Sequence, residues 1–349
     1  MNNKNTVGME FVAVLAITFV VLISLVTALF VVTNDTVDNS SDVSDESVTT
    51  SGDTDVVDVV LNTTPLFPTQ QTRTSYIIPQ SNEVKTISDT YITSEHAILV
   101  DLSSFSSVAE KRADEKIYPA SMTKVMSLIV ACERVVDLNE KLTVTAEIAD
   151  FAEKNDGSGI GLKVGESYTV EDLLFLVSYK SDTIASLLIA DYIAGSESAF
   201  VELMNDKATE LGLVSTKFAN CTGLYDNNNY TTCREMASIM AYALDNEMVY
   251  RCLSEYHGRS MMIDGIKCTA YSGWYSQRFS DNPKFTGGKI IAGKTGYTDE
   301  SGYTLVSCAE IDGKRYINVI VTRTDKTSTV KVQEGPSADQ VKYIYKNYK

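Results

Sequence analysis

The sequence predicts an α+β domain whose antiparallel sheet joins its two ends, preceded by one N-terminal transmembrane helix. Three observations carry this. Strand-like text opens and closes residues 86–349, and helical periodicity fills the middle. Two Asp-Gly pairs sit between apolar runs near the C-terminal end. Phe11–Val32 is an uncharged stretch of 22 residues.

The N-terminal stretch comes first in the chain. As a helix it spans about 33 Å, enough for a hydrocarbon core of ~30 Å. A cleavable leader has a shorter apolar region and a more basic start, although Val26-Thr27-Ala28 also reads as a cleavage site. Lys4 and the terminal amine precede the span and an acidic run follows it. That asymmetry places residues 1–10 in the cytoplasm, residues 11–32 in the membrane and the remainder outside. Residues 33–72 hold eight acidic side chains and no Lys or Arg, half of the net charge of −16. Residues 33–85, rich in Ser, Thr and Asp, read as a disordered, self-repelling tether with a reach of roughly 40 Å.

The globular part begins at about residue 86. Ala97–Leu102 and Val108–Arg112 read as strands. A helix-rich block follows: a segment from Ser121, Val170–Tyr179, Thr183–Ala194, Ala199–Leu211 and Cys233–Leu244, with Gly195 and Gly212 at expected stops. Strands return at Met261–Ile263 and Ile266–Thr269 around Asp264-Gly265, and at Tyr303–Ala309 and Arg315–Thr322 around Asp312-Gly313. A helix over Ser337–Tyr348 closes the chain.

Composition removes some functions. The acidic balance argues against a nucleic-acid binder. The two histidines, His96 and His257, exclude a His-rich metal site, and a Ser-His-Asp triad would have to use one of them. The six cysteines form no CxxC, so zinc is not expected. They read as small buried apolar residues, with one disulfide, Cys252–Cys268, as an option outside the cell.

Three short elements carry candidate chemistry. In Tyr118-Pro119-Ala120-Ser121-Met122-Thr123-Lys124, Pro119 suits a helix start, and Lys124 lies one turn from Ser121 on the same side. A serine hydroxyl needs a base, and a lysine becomes one when burial and a neighbouring cation lower its pKa. Taken alone, the pair is matched by an N-cap serine followed by a surface lysine. Lys294-Thr295-Gly296 precedes the last hairpin. Glycine on an edge strand lets a ligand backbone approach, and Lys and Thr suit a carboxylate; the plainer reading is a turn. Ser181-Asp182-Thr183 is by itself a helix cap.

Together and in this order, a Ser-x-x-Lys, a Ser-x-Asn-like triplet and a Lys-Thr-Gly resemble the signature of the penicillin-recognising serine enzymes. The chain resembles, more narrowly, the D-alanyl-D-alanine carboxypeptidases, the low-molecular-weight penicillin-binding proteins, over about residues 96–349. Ser158–Glu166, Phe218–Leu224 and Thr232–Met236 also look like family segments.

The resemblance implies a β-lactamase/transpeptidase-like fold and a peptidase of peptidoglycan pentapeptide stems. It implies Ser121 as nucleophile, Lys124 as its base and Ser181 as a proton relay. Lys294 and Thr295 would hold the substrate carboxylate beside Gly296. The amides of Ser121 and Tyr297 would form the oxyanion hole, and Arg278 would assist the carboxylate. β-Lactam antibiotics would be covalent inhibitors, and neither metal nor cofactor is implied. Location follows as a single-pass protein of a bacterial cell membrane, its catalytic domain on the extracellular side.

Thr183 stands where the family usually has Asn, a loss of carboxamide reach that bears on substrate positioning. That departure motivates an alternative, a non-catalytic muropeptide sensor. A β-lactamase is a second alternative. It needs a Glu-x-x-Leu-Asn base, and the nearest text, Glu202-Leu203-Met204-Asn205, has the wrong spacing. Many members of the resembled family carry a C-terminal β-rich domain; the roughly 50 residues after Lys294 are expected to hold only the hairpin and the closing helix.

Overall fold

The structure, a computed structural model, describes residues 65–81, 83–88, 90–255, 258–263, 266–270, 282–322 and 338–349. The expected membrane span, most of the tether, Arg278 and the Asp264-Gly265 turn lie outside these residues. Among the described residues no single helix is long and apolar enough to cross a membrane.

The strands are β1 (Lys85–Thr86), β2 (His96–Asp101), β3 (Ser106–Lys111), β4 (Lys141–Thr143), β5 (Ser167–Thr169), β6 (Arg259–Ile263), β7 (Ile266–Ala270), β8 (Lys284–Phe285), β9 (Gly288–Thr298), β10 (Gly302–Ile311) and β11 (Lys314–Thr322). The helices are α1 (Lys124–Cys132), α2 (Ala146–Lys154), α3 (Val170–Tyr179), α4 (Thr183–Ala194), α5 (Glu197–Glu210), α6 (Cys233–Ala243), α7 (Glu247–Ser254) and α8 (Ala338–Tyr348).

Seven strands form the main sheet in the order β1-β3-β2-β11-β10-β9-β8. The expected antiparallel sheet is in fact mixed, because β1 runs parallel to β3. The N-terminal strands do pair with the C-terminal ones: β2 lies antiparallel to β11, from Val321↔His96 to Tyr316↔Asp101. The β10–β11 hairpin turns at Asp312 and Gly313, both at positive φ (51° and 77°). That conformation suits a two-residue turn between right-twisted strands. β6 and β7 pair with each other outside the main sheet.

Both faces of the sheet are covered, which is why its central strands read as continuous apolar runs. Ile98, Val100, Ile317, Val319 and Val321 join the larger core under the helical block. Leu99, Leu305 and Ile320 join a smaller core with Val341, Ile344 and Tyr345 of α8. α1 is buried on every side and packs against α3, α4, α5, α6 and α7.

Residues 65–81, expected as part of the tether, lie on the domain, because two of their side chains are core residues: Tyr76 and Ile78 are buried. The Tyr76 ring meets Tyr242 edge-on at 4.9 Å, and the Ile78 amide donates to Ser238 Oγ at 3.2 Å. Leu66 N donates to Val135 O at 3.0 Å. Cys252 is buried, and the side chain of Cys268, the other half of the expected disulfide option, lies outside those described.

Candidate active site

Ser121 sits in a 3₁₀ turn, Ala120–Thr123, that leads into α1. Pro119 precedes the turn and its carbonyl accepts from Met122 N at 3.1 Å and Thr304 Oγ1 at 3.0 Å. Ala120 is forced to φ 48°, an uncommon place for a residue with a Cβ. Two glycines let other segments of the chain close on this turn. A Cβ on Gly296 would lie 2.6 Å from Ser121 N, and one on Gly223 would lie 2.1 Å from Ala120 O. The nucleophile candidate is thus seated by contact with β9 on one side and the 220–224 turn on the other.

Lys124, the first residue of α1, is 1% exposed. Its Nζ donates to Ser121 Oγ at 3.3 Å and to the Thr222 carbonyl. Burial pulls its pKa from the ordinary lysine value down to about 8, partly offset by Cys221, Asp182 and Glu197. The 220–224 turn is itself held in shape: Asn220 Oδ1 accepts from Gly223 N at 2.7 Å, and Asn220 Nδ2 donates to Leu224 O at 2.9 Å. Ser127 Oγ donates to Cys221 O at 2.7 Å. The Thr222 carbonyl is a site group that sequence reasoning missed. A backbone acceptor leaves no signature beyond the glycine that follows it.

Ser181 immediately precedes the Asp182 cap of α4 and is held at φ 55°. Lys294, on β9, is also 1% exposed. Its Nζ donates to Ser181 Oγ at 3.0 Å and to the Thr295 carbonyl at 2.8 Å. Burial and then the like charge of Lys124 hold Lys294 well below the ordinary lysine value. A proton on Lys124 thus works against a proton on Lys294.

The other predicted residues fall as follows. Thr183 is buried, and a Cβ on Gly157 would lie 2.9 Å from its Cβ and Oγ1. Thr295 is half-buried opposite Leu305 on β10, and Gly296 lies opposite Thr304. Tyr297 is 47% exposed, meets the Tyr303 ring at 4.5 Å with the planes tilted by 39°, and donates to Asp299 Oδ1 at 2.9 Å. His96 is in β2, with Nε2 3.3 Å from Glu115 Oε2 and burial lowering its pKa; it has no part in this cleft. Asn205 braces the Phe218 backbone from within α5, accepting from Phe218 N at 2.9 Å and donating to Phe218 O at 2.9 Å.

The arrangement supplies a hydroxyl beside a buried amine, a second hydroxyl beside a second buried amine, and a strand that passes close to both. It is suited to nucleophilic attack on a carbonyl whose substrate carries a nearby anion.

The sequence profile of the Peptidase_S11 family, D-alanyl-D-alanine carboxypeptidase, matches residues 83–325. The D-alanyl-D-alanine carboxypeptidase DacF of Bacillus subtilis is 31% identical over 224 residues, 64% of this chain and 56% of that protein. DacA of Escherichia coli is 33% identical over 239 residues, 66% of this chain and 56% of its own length. The chain therefore spans about half the length of these curated relatives. Among solved structures, a D-alanyl-D-alanine carboxypeptidase of Mycobacterium tuberculosis superposes with a TM-score of 0.64 at 25% identity, covering 77% of this chain and 94% of that one. The DD-transpeptidase of Streptomyces K15 gives a TM-score of 0.59 at 25% identity, covering 67% and 91%.

Proposed function

The chain belongs to the family of D-alanyl-D-alanine carboxypeptidases, and on that footing we propose that it removes the terminal D-alanine from peptidoglycan pentapeptide stems through a Ser121 acyl-enzyme. One observation carries the reading: Lys124 Nζ, fully buried and with its proton weakly held, lies 3.3 Å from Ser121 Oγ.

In the proposed cycle, Ser121 Oγ bonds to the carbonyl carbon of the penultimate D-alanine while neutral Lys124 takes the hydroxyl proton. The carbonyl becomes an oxyanion, which the amides of Ser121 and Tyr297 stabilise. The bond from carbon to the terminal D-alanine nitrogen then breaks. That nitrogen receives, through Ser181, the proton that Lys124 took, which leaves Lys124 neutral; Lys294 holds Ser181 by a hydrogen bond of 3.0 Å. Water attacks the ester, Lys124 again takes the proton and returns it to Ser121 Oγ as the ester bond breaks, and the shortened peptide leaves with a free carboxyl group.

The shared charge of the two lysines gives substrate a role in its own activation. A carboxylate bound beside Lys294 and Thr295 favours the proton on Lys294, and repulsion then keeps Lys124 neutral. β-Lactams would acylate the same hydroxyl. Residues 11–32, uncharged and long enough to cross a bilayer, would anchor the domain on the outer side of a bacterial cell membrane.

The test is D-alanine release from a free pentapeptide by the purified chain. Release is expected, and Ser121→Ala is expected to remove it. Binding of peptide without release would replace the peptidase with a wall-peptide sensor. A penicillin adduct that hydrolyses within seconds would point instead to a β-lactamase.

A further inference from the structure

The inference here rests on the peptidase reading and concerns Asp182, the middle residue of the Ser181-Asp182-Thr183 triplet. Its side chain is 1% exposed. Oδ1 accepts from Ala185 N at 2.9 Å, which is an ordinary helix cap. Oδ2 accepts from Ile160 N at 2.9 Å, a bond that the helix does not need. It reaches instead into the loop of residues 157–161.

Two further bonds close the same seam. Thr183 N donates to Ser158 O at 2.8 Å, and Ser158 Oγ donates to Ser181 O at 2.6 Å. The loop fits because it lacks side chains where it meets the triplet. A Cβ on Gly159 would sit 2.5 Å from Asp182 Oδ2, and one on Gly157 would sit 2.9 Å from Thr183 Oγ1. The head of α4 and the loop are thus joined by hydrogen bonds on both sides of Asp182.

Ser181 is the residue this seam constrains. Its left-handed conformation, φ 55°, is unfavourable for a residue with a Cβ, so the surroundings must impose it. In that conformation its hydroxyl accepts from Lys294 Nζ at 3.0 Å. A cap alone would be served as well by Asn or Ser, and burying a carboxylate is costly. The second bond is what a carboxylate adds.

We propose that Asp182 is a positioning residue: its carboxylate clamps the 157–161 loop onto α4 and so holds Ser181 in the conformation that presents its hydroxyl to Lys294.

The test measures the rate of penicillin acylation in the full chain carrying Asp182→Ala, Asp182→Asn, Ser181→Ala and the Ser181→Ala/Asp182→Ala pair. Losing both bonds in Asp182→Ala is expected to slow acylation about ten- to a hundredfold. Asp182→Asn keeps the cap and loses one bond, so a drop of about three- to tenfold is expected; it also serves if the alanine variant does not fold. Because Asp182 acts through Ser181, Asp182→Ala added to Ser181→Ala is expected to change the rate less than about twofold. The same fold loss on both backgrounds would overturn the proposal.

A crystal structure of Asp182→Ala or Asp182→Asn decides the point without activity. Ser181 is expected to leave the left-handed region and its bond to Lys294; an unmoved Ser181 in both variants would overturn the clamp. Absence of any adduct on the unmodified chain would count against the peptidase reading alone, and the crystallographic comparison would still stand.

Discussion

The two serines of the cleft are held by different kinds of force. Ser121 is seated by close packing: Gly296 and Gly223 bring two other segments against its turn, at distances that leave no space for a methyl group. Ser181 is seated by hydrogen bonds, from Asp182, Ser158 and Lys294 to the loop, the helix head and its own hydroxyl. A packed seat resists displacement because every neighbour must move together. A bonded seat is as strong as its few partners, and each removal exposes a buried polar group. The difference suits the proposed division of labour, in which Ser121 forms a covalent bond and Ser181 only passes a proton.

The largest effect that separates the two seats is expected from the hydroxyls themselves. Ser121→Ala is expected to abolish the penicillin adduct in intact-mass spectra, whereas Ser181→Ala is expected only to slow its appearance. An undiminished adduct on Ser121→Ala would remove the nucleophile assignment. Lys124→Ala comes next. Loss of a general base is expected to slow acylation about 10²–10⁴-fold in rapid-quench measurements, and a loss below tenfold would assign the proton to another group.

The packed seat is probed by Gly223→Ala. A Cβ there would meet Ala120 O at 2.1 Å, so the turn must shift, and acylation is expected to fall about tenfold or more. Gly195→Ala has nearly the same φ, 75°, in open space. It is expected to cost about 1 kcal/mol in denaturant unfolding and to leave acylation unchanged. Equal behaviour of the two glycines would show that packing on Ala120 is unimportant.

The smallest effect is expected at Thr183. Installing the usual family residue, Thr183→Asn, puts a larger side chain beside Gly157, where even a Cβ would lie 2.9 Å from Thr183 Oγ1. A fall of about fivefold in kcat/KM is expected. A rise would mean that the loop yields and that Thr183 is a plain weakening of the site.

How much of this was readable in the sequence varied with the locality of the signal. Thr183–Ala194 is found residue for residue, because an Asp cap opens it and Gly195 closes it at φ 75°. The last hairpin was equally plain from Asp312-Gly313, although its strands extend to Gly302 and Ile311. β9 was legible only as a motif, since Gly288, Gly293 and Gly296 lower its strand propensity. At Gly288 and Gly296 the reason is the close approach of other segments, Glu310 and Phe285 at one and Ser121 at the other, a tertiary reason with no local mark. α2 was missed because it is largely exposed, with Ala152 its buried residue. Residues 65–81 looked like tether because two core side chains, Tyr76 and Ile78, stand in polar surroundings.

The site followed the same rule. Ser121, Lys124, Ser181 and Lys294 were found by motif order, and the structure brings these four side chains into two bonded pairs. The Thr222 carbonyl, the closeness of Gly223 to Ala120 and the reach of Asp182 to Ile160 all depend on partners distant in sequence. No spacing rule announces them.

The central claim is that an uncharged Lys124 activates Ser121, and the pH dependence of Ser121 acylation tests it most directly. Lys124 loses its proton at about 8, and only the neutral amine accepts a proton from serine. Acylation of the unmodified chain is therefore expected to rise about tenfold per pH unit below 8 and to level off above it. A rate that is flat from pH 6 to about 10, or that falls as pH rises through 8, would contradict the account.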